Sequence, residues 1–66
     1  MGADLTDADL SLALLGGADL TGAVMRGTRL TGADLDATIL RQLVAADGIL
    51  GLDQARNLDR ALRDPP

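Results

Sequence analysis

The side chains in this 66-residue sequence that could do chemistry are acids, hydroxyls and glycines. Asp4, Asp9, Asp19 and Asp34 are the candidates for carboxylate catalysis or calcium binding, and Thr6, Ser11, Thr21 and Thr31 for a nucleophile. Paired-carboxylate catalysis needs two acids held a few ångströms apart across a pocket. These acids project from different faces or over neutral partners, so they read as solvated residues that control solubility and edges. The hydroxyls have no activating base, because the chain contains neither His nor Lys. The stretch Gly16-Gly17-Ala18-Asp19-Leu20 matches half of a nonapeptide calcium motif, but the next glycine-aspartate element is missing. No G-x-x-x-x-G-K-[ST] phosphate loop is present. The expectation is no catalytic residue, no metal ligand and no cofactor.

Composition removes further classes. Without Cys and His, disulfides, thiolate chemistry and the usual zinc ligands are gone. Without Phe, Tyr or Trp there is no base stacking and no aromatic cage. Ten acids against six arginines leave a net charge of −4, which opposes direct binding to a phosphate backbone. The opening Met1-Gly2-Ala3-Asp4 has no leader-like character, and no apolar run has the length of a membrane span. A soluble cytoplasmic protein is expected, with no membrane and no small-molecule substrate as partner.

What the chain does have is a repeat. Ala3-Asp4-Leu5, Ala8-Asp9-Leu10, Ala13-Leu14-Leu15, Ala18-Asp19-Leu20, Ala23-Val24-Met25, Thr28-Arg29-Leu30, Ala33-Asp34-Leu35 and Thr38-Ile39-Leu40 follow one another every five residues. In each block the central residue is Leu or Met and the residue two before it is Ala or Thr. On an α-helix a period of five moves each successive leucine about 140° around the axis, and on a flat strand it alternates faces. Neither can bury the row. A chain that turns a corner after each block can, and Gly17, Gly22, Gly27 and Gly32 suit such corners.

The run from Ala3 to Gln42 resembles the pentapeptide repeat proteins, whose consensus is A(D/N)LXX. The resemblance implies an all-β solenoid, a right-handed quadrilateral β-helix with four blocks per coil and about two coils here. Coils of twenty residues would stack Asp4 with Val24, Asp9 with Arg29, Leu14 with Asp34 and Asp19 with Ile39, so that no acid faces an acid. Coils of fifteen would put Asp4, Asp19 and Asp34 in one like-charge ladder. Inside, Leu5 would lie on Met25, Leu10 on Leu30, Leu15 on Leu35 and Leu20 on Leu40.

The repeat body spans 1–42, and 43–66 belongs to the same domain. Leu43-Val44-Ala45 and Gly48-Ile49-Leu50 fit either an irregular third coil or a helical turn. From Gly51 on, Leu52, Ala55, Leu58, Ala61 and Leu62 recur at spacings of three and four, which predicts a capping α-helix from about Asp53 to Arg63, stopped by Pro65-Pro66. At the other end Met1 leads straight into the first block. That coil either pairs with another copy, continues a longer array, or stands as an exposed edge.

The departures from the consensus are Leu12 at a corner and Leu14, Val24 and Ile39 at outward positions. They are the candidate partner contacts; the competing reading is that the terminal segment folds over some of them or that they are scattered exposed residues of no consequence. The expected function is that of a non-catalytic structural or protein-interaction module, binding another protein or itself end to end. The alternative comes from the resemblance: some members of that family inhibit DNA gyrase, and confer quinolone resistance, as acidic mimics of duplex DNA. Two coils span only about 10 Å at a strand spacing of about 4.8 Å, which is short for that purpose.

Overall fold

A five-residue period demands a bend at every fifth residue, and the chain supplies it. In the computed structural model, which describes residues 2–65, φ is positive at Gly2, Asp7, Leu12, Gly17, Gly22, Gly27, Gly32, Ala37 and Gln42. Each bend from Asp7 to Ala37 is closed by a backbone bond that spans it, from the residue that follows the bend to the residue two before it. Ala8 donates to Leu5, Ala13 to Leu10, Thr28 to Met25, Ala33 to Leu30 and Thr38 to Leu35, at 2.9–3.1 Å.

The blocks then pair sideways. Asp4 bridges Val24, Asp9 bridges Arg29, Leu14 bridges Asp34 and Asp19 bridges Ile39, all parallel and all twenty residues apart. Two bonds make each junction: Leu5 donates its N–H to the Val24 carbonyl, and Val24 donates to the Ala3 carbonyl, at 2.9 and 2.8 Å. The same pair of bonds recurs at the other rungs of the ladder.

The pairing does not stop at Leu40, as a two-coil reading requires. Val24 also bridges Val44, Arg29 bridges Leu50 and Asp34 bridges Arg56. Strand β1 (Ile39–Leu40) pairs in parallel with β2 (Leu62–Arg63). A third level therefore continues each of the four rows. Residues 43–50 contain both elements left open by the sequence: Val44 is a bridging rung, and Ala46–Gly48 is a turn of 3-10 helix.

The α-helix expected over Asp53–Arg63 is absent. Leu52–Gln54 and Leu58–Arg60 are separate single turns of 3-10 helix, Asn57 between them has φ of 58°, and Leu62–Arg63 is strand. A left-handed residue cannot sit inside a right-handed helix. The apolar spacing of three arises instead from a six-residue repeat, in which Leu52 and Leu58 open the turns while Ala55 and Ala61 follow them.

The middle coil holds the core. Met25, Leu30, Leu35 and Leu40, with Ala23, Thr28, Ala33 and Thr38 between them, are buried. Leu5, Leu10, Leu15 and Leu20 pack on one side of this layer and Leu43, Ile49, Leu52, Ala55, Leu58 and Ala61 on the other, all only partly buried. The column of leucines expected from Leu5 to Leu40 is thus fully enclosed in one coil of its length. Burying each large side chain there contributes roughly 1.5–3 kcal/mol. Thr28 and Thr38 take the place of alanine without leaving a polar orphan, since their hydroxyls donate to the carbonyls of Leu5 and Leu15 at 2.7 Å.

Candidate functional site

The acids that invited a catalytic reading are tied into the bends next to them. Asp4 accepts hydrogen bonds from the Thr6 N–H at 3.0 Å and the Thr6 hydroxyl at 2.6 Å. Asp19 does the same with Thr21, at 3.0 and 2.5 Å, and Asp9 accepts from the Ser11 N–H at 3.0 Å. Asp34 accepts from the Asp36 N–H at 3.1 Å and from the Asn57 amide at 2.8 Å. Aspartate folded onto the backbone two residues on is a turn-forming arrangement.

These bonds favour the ionised form. The Thr6 hydroxyl, and then its N–H, lower the pKa of Asp4; Thr21 does so for Asp19, and Ser11 for Asp9. For Asp34 the Asn57 amide is the main cause, followed by the Asp36 N–H. Acids held ionised in local turns are poorly placed to give or take a proton near neutral pH. Among the described residues no three His, Cys, Asp or Glu side chains converge to hold a metal ion.

The outward apolar residues fall on separate parts of the surface. Leu12 and Leu14 lie on the first coil, 77% and 82% exposed, with Leu12 in a left-handed bend over Gly32 and Leu14 on the rung above Asp34. Val24 sits between Asp4 and Val44, and Ile39 between Asp19 and Leu62, both half-buried. Leu14, Val24 and Ile39 therefore occupy three different rows, and Leu12 a corner. Sequence reasoning missed Val44, Leu50 and Leu62, the exposed apolar rungs of the third level. Their signal was the six-residue spacing of 44, 50, 56 and 62, masked by the helix-like spacing of the residues around them.

At the far end of the coil an open pocket of about 230 Å³ is lined by Leu40, Leu43, Ala46, Ile49 and Leu52 together with Arg63 and Asp64. Asp64 is engaged there, accepting the Gln42 N–H at 3.0 Å. The pocket is the open end of the core layer and contains no nucleophile beside a base. No helix among the described residues is long and apolar enough to cross a membrane.

Short parallel rungs stacked around an inward leucine row define a repeat protein of the solenoid class. Eight copies of the repeat described as "Pentapeptide repeats" match residues 3–42, and the chain belongs to the pentapeptide repeat family. No curated protein and no solved structure matches it.

Proposed function

We propose that this chain is a non-catalytic interaction module: a small rigid block, the right-handed four-sided coil of its family, that works by presenting its sides and ends to another protein or to further copies of itself. One domain carries the function, with the repeat body over 1–42 and the remainder, 43–66, closing onto it; the cytoplasm is its expected location. The observation that carries this reading is the division of labour among side chains. Asp4, Asp9, Asp19 and Asp34 are committed to turns, while Leu12, Leu14, Val44, Leu50 and Leu62 are large apolar residues left in water. Of these, Leu12 and Leu14, two residues apart on the first coil, form the exposed apolar pair that supports a contact rather than chemistry.

The test is chemical crosslinking in an extract of the source cell. Wild-type protein is expected to give discrete adducts that the double variant Leu12→Lys, Leu14→Lys loses while its circular dichroism stays unchanged. Identical adduct patterns for the two proteins would remove the first coil from the reading.

The DNA-mimic alternative is less well supported. Its acidic rows are broken by Arg29 and Leu50 above Asp9, and by Arg56 beside Asp34. Residues 1–25 hold Asp4, Asp7, Asp9 and Asp19 and no arginine, whereas residues 26–66 hold six acids and six arginines, so the net charge is confined to the first part of the chain. A gyrase supercoiling assay is expected to show no inhibition.

A further inference from the structure

The two ends of the coil carry complementary sets of backbone groups that no described residue satisfies. On the first coil these are the N–H and the C=O of Asp4, Asp9, Leu14 and Asp19. On the third level they are the N–H of Ala45, Gly51 and Asn57 and the C=O of Leu43, Ile49 and Ala55. Inside the molecule the same positions are joined: Met25 donates to the Val44 carbonyl and Val44 to the Ala23 carbonyl, both at 2.9 Å. We propose that a second copy of this chain is the occupant of the first-coil edge, seated through its third level in a head-to-tail stack that repeats the internal two-bond junction. The proposal rests on the interaction-module reading and assigns that module a partner and a polarity.

Shape favours a coil as the occupant. An extended peptide could follow only one short side of the edge before the edge turns a corner, whereas a second coil meets all its sides at once. Charge then selects which end. The rungs of the first coil are Asp4, Asp9, Leu14 and Asp19, and those of the third level are Val44, Leu50, Arg56 and Leu62. Two first coils placed face to face, in any rotation that aligns their sides, leave at least one pair of acids directly opposed, which is unfavourable. A third level offers no acid on any rung, and in three of its four rotations it sets Arg56 against an aspartate and an apolar side chain against Leu14.

The ladder already tolerates this mixture of repeats. Five-residue bends in the middle coil pair with six-residue bends in the third level, at Arg29 with Leu50 and Asp34 with Arg56. Size makes the association weak. The two largest extents of the molecule, 23 and 21 Å, limit an end face to about 480 Å², against about 800 Å² per partner in a standard interface. Coils stacked head to tail along one axis have no geometry that closes them into a ring, so the stack is open-ended and grows with concentration.

Two measurements on the full chain test this. In sedimentation equilibrium the mass is expected to rise smoothly with concentration past twice the 6.8 kDa monomer. In amide hydrogen exchange the same rise in concentration is expected to slow both sets of N–H groups severalfold, those of Asp4, Asp9, Leu14 and Asp19 and those of Ala45, Gly51 and Asn57. The variant Asp9→Pro removes an N–H that has no use within the molecule. Provided its circular dichroism is native, it should stay monomeric alone yet shorten wild-type stacks by capping them through its intact tail. A mass that stays at the monomer value, or slowing confined to one of the two sets, overturns the proposal. A monomer that still gives adducts in the extract would leave the interaction-module reading standing with a different partner.

Discussion

The repeat body and the terminal coil solve the same problem with corners of different size. In the body each bend from Asp7 to Ala37 spends one left-handed residue and one closing bond per five residues, as at Gly27 and Gly32. In the terminal coil the left-handed residues are Ala45, Gly51 and Asn57, six apart, and each opens a 3-10 turn closed by two bonds. Gln54 donates to Gly51 and Ala55 to Leu52; Arg60 donates to Asn57 and Ala61 to Leu58. The extra residue at each corner lengthens the pairing offset by one: Val24 to Val44, Arg29 to Leu50, Asp34 to Arg56 and Ile39 to Leu62. Rungs stay in register while corners absorb the insertion, so the corner is the adjustable part of this fold and the rung the fixed part.

The sharpest way to break the comparison is to charge equivalent inward positions in the two regions. Leu35 is fully buried in the middle coil, whereas Leu58 is partly buried at an open end. A carboxylate at 35 is sealed from water, at a cost of several kcal/mol. A domain of this size has only about 3–10 kcal/mol of stability. Leu35→Asp is expected to abolish the folded circular-dichroism signal, and Leu58→Asp to keep it with a lower urea midpoint. Equal damage from both would mean that the terminal coil is as essential to the core as the middle one.

A smaller effect is expected at the corners. Ala37 occupies a left-handed bend with φ of 60°, where a side chain costs roughly 1–2 kcal/mol relative to glycine. Part of the relief is offset by the greater freedom of glycine in the unfolded chain. Ala37→Gly should therefore stabilise by about 0.5–1 kcal/mol, raising the melting temperature by roughly 3–6 °C. No rise would show that the body's corners are not the strained part.

The body could be read residue by residue because its period matches neither helix nor strand. The buried set of the middle coil, from Ala23 to Leu40, is the inward set given by the repeat. The terminal coil could be misread because Leu52, Ala55, Leu58 and Ala61, three apart, satisfy a helix as well as a six-residue repeat. The discriminating residues were Gly51 and Asn57, six apart, together with the recurrence of Asp53 at Asp59 and Ala55 at Ala61. The turn role of the acids was also available, since Asp4-Leu5-Thr6 and Asp19-Leu20-Thr21 place a hydroxyl two residues after the acid. The conformation of Leu12 was less so. Its left-handed bend is imposed by the ladder on both sides of it, against the preference of leucine itself.

The junction between the two regions offers the finest test. Asn57 belongs to a terminal-coil corner, and its amide donates to Asp34 of the body at 2.8 Å. Asparagine tolerates the left-handed conformation better than alanine does, so Asn57→Gly relieves little strain while removing that bond. The two effects oppose each other, and the change in melting temperature at neutral pH should be smaller than that of Ala37→Gly. The acid limb should move more clearly. Asp34 has a folded pKa below its unfolded one, so it stabilises the fold above the ordinary aspartate range, and this contribution is lost as pH falls through the lowered folded value. Without the Asn57 amide, the leading cause of the lowering, the Asp34 pKa should rise toward that range and the contribution should shrink. Asp4 and Asp19, lowered mainly by Thr6 and Thr21 of the first and middle coils, should titrate as before. Carboxylate titration by NMR separates the three, and an Asp34 that moves no more than Asp4 would show that this bond does not fasten the terminal coil to the body.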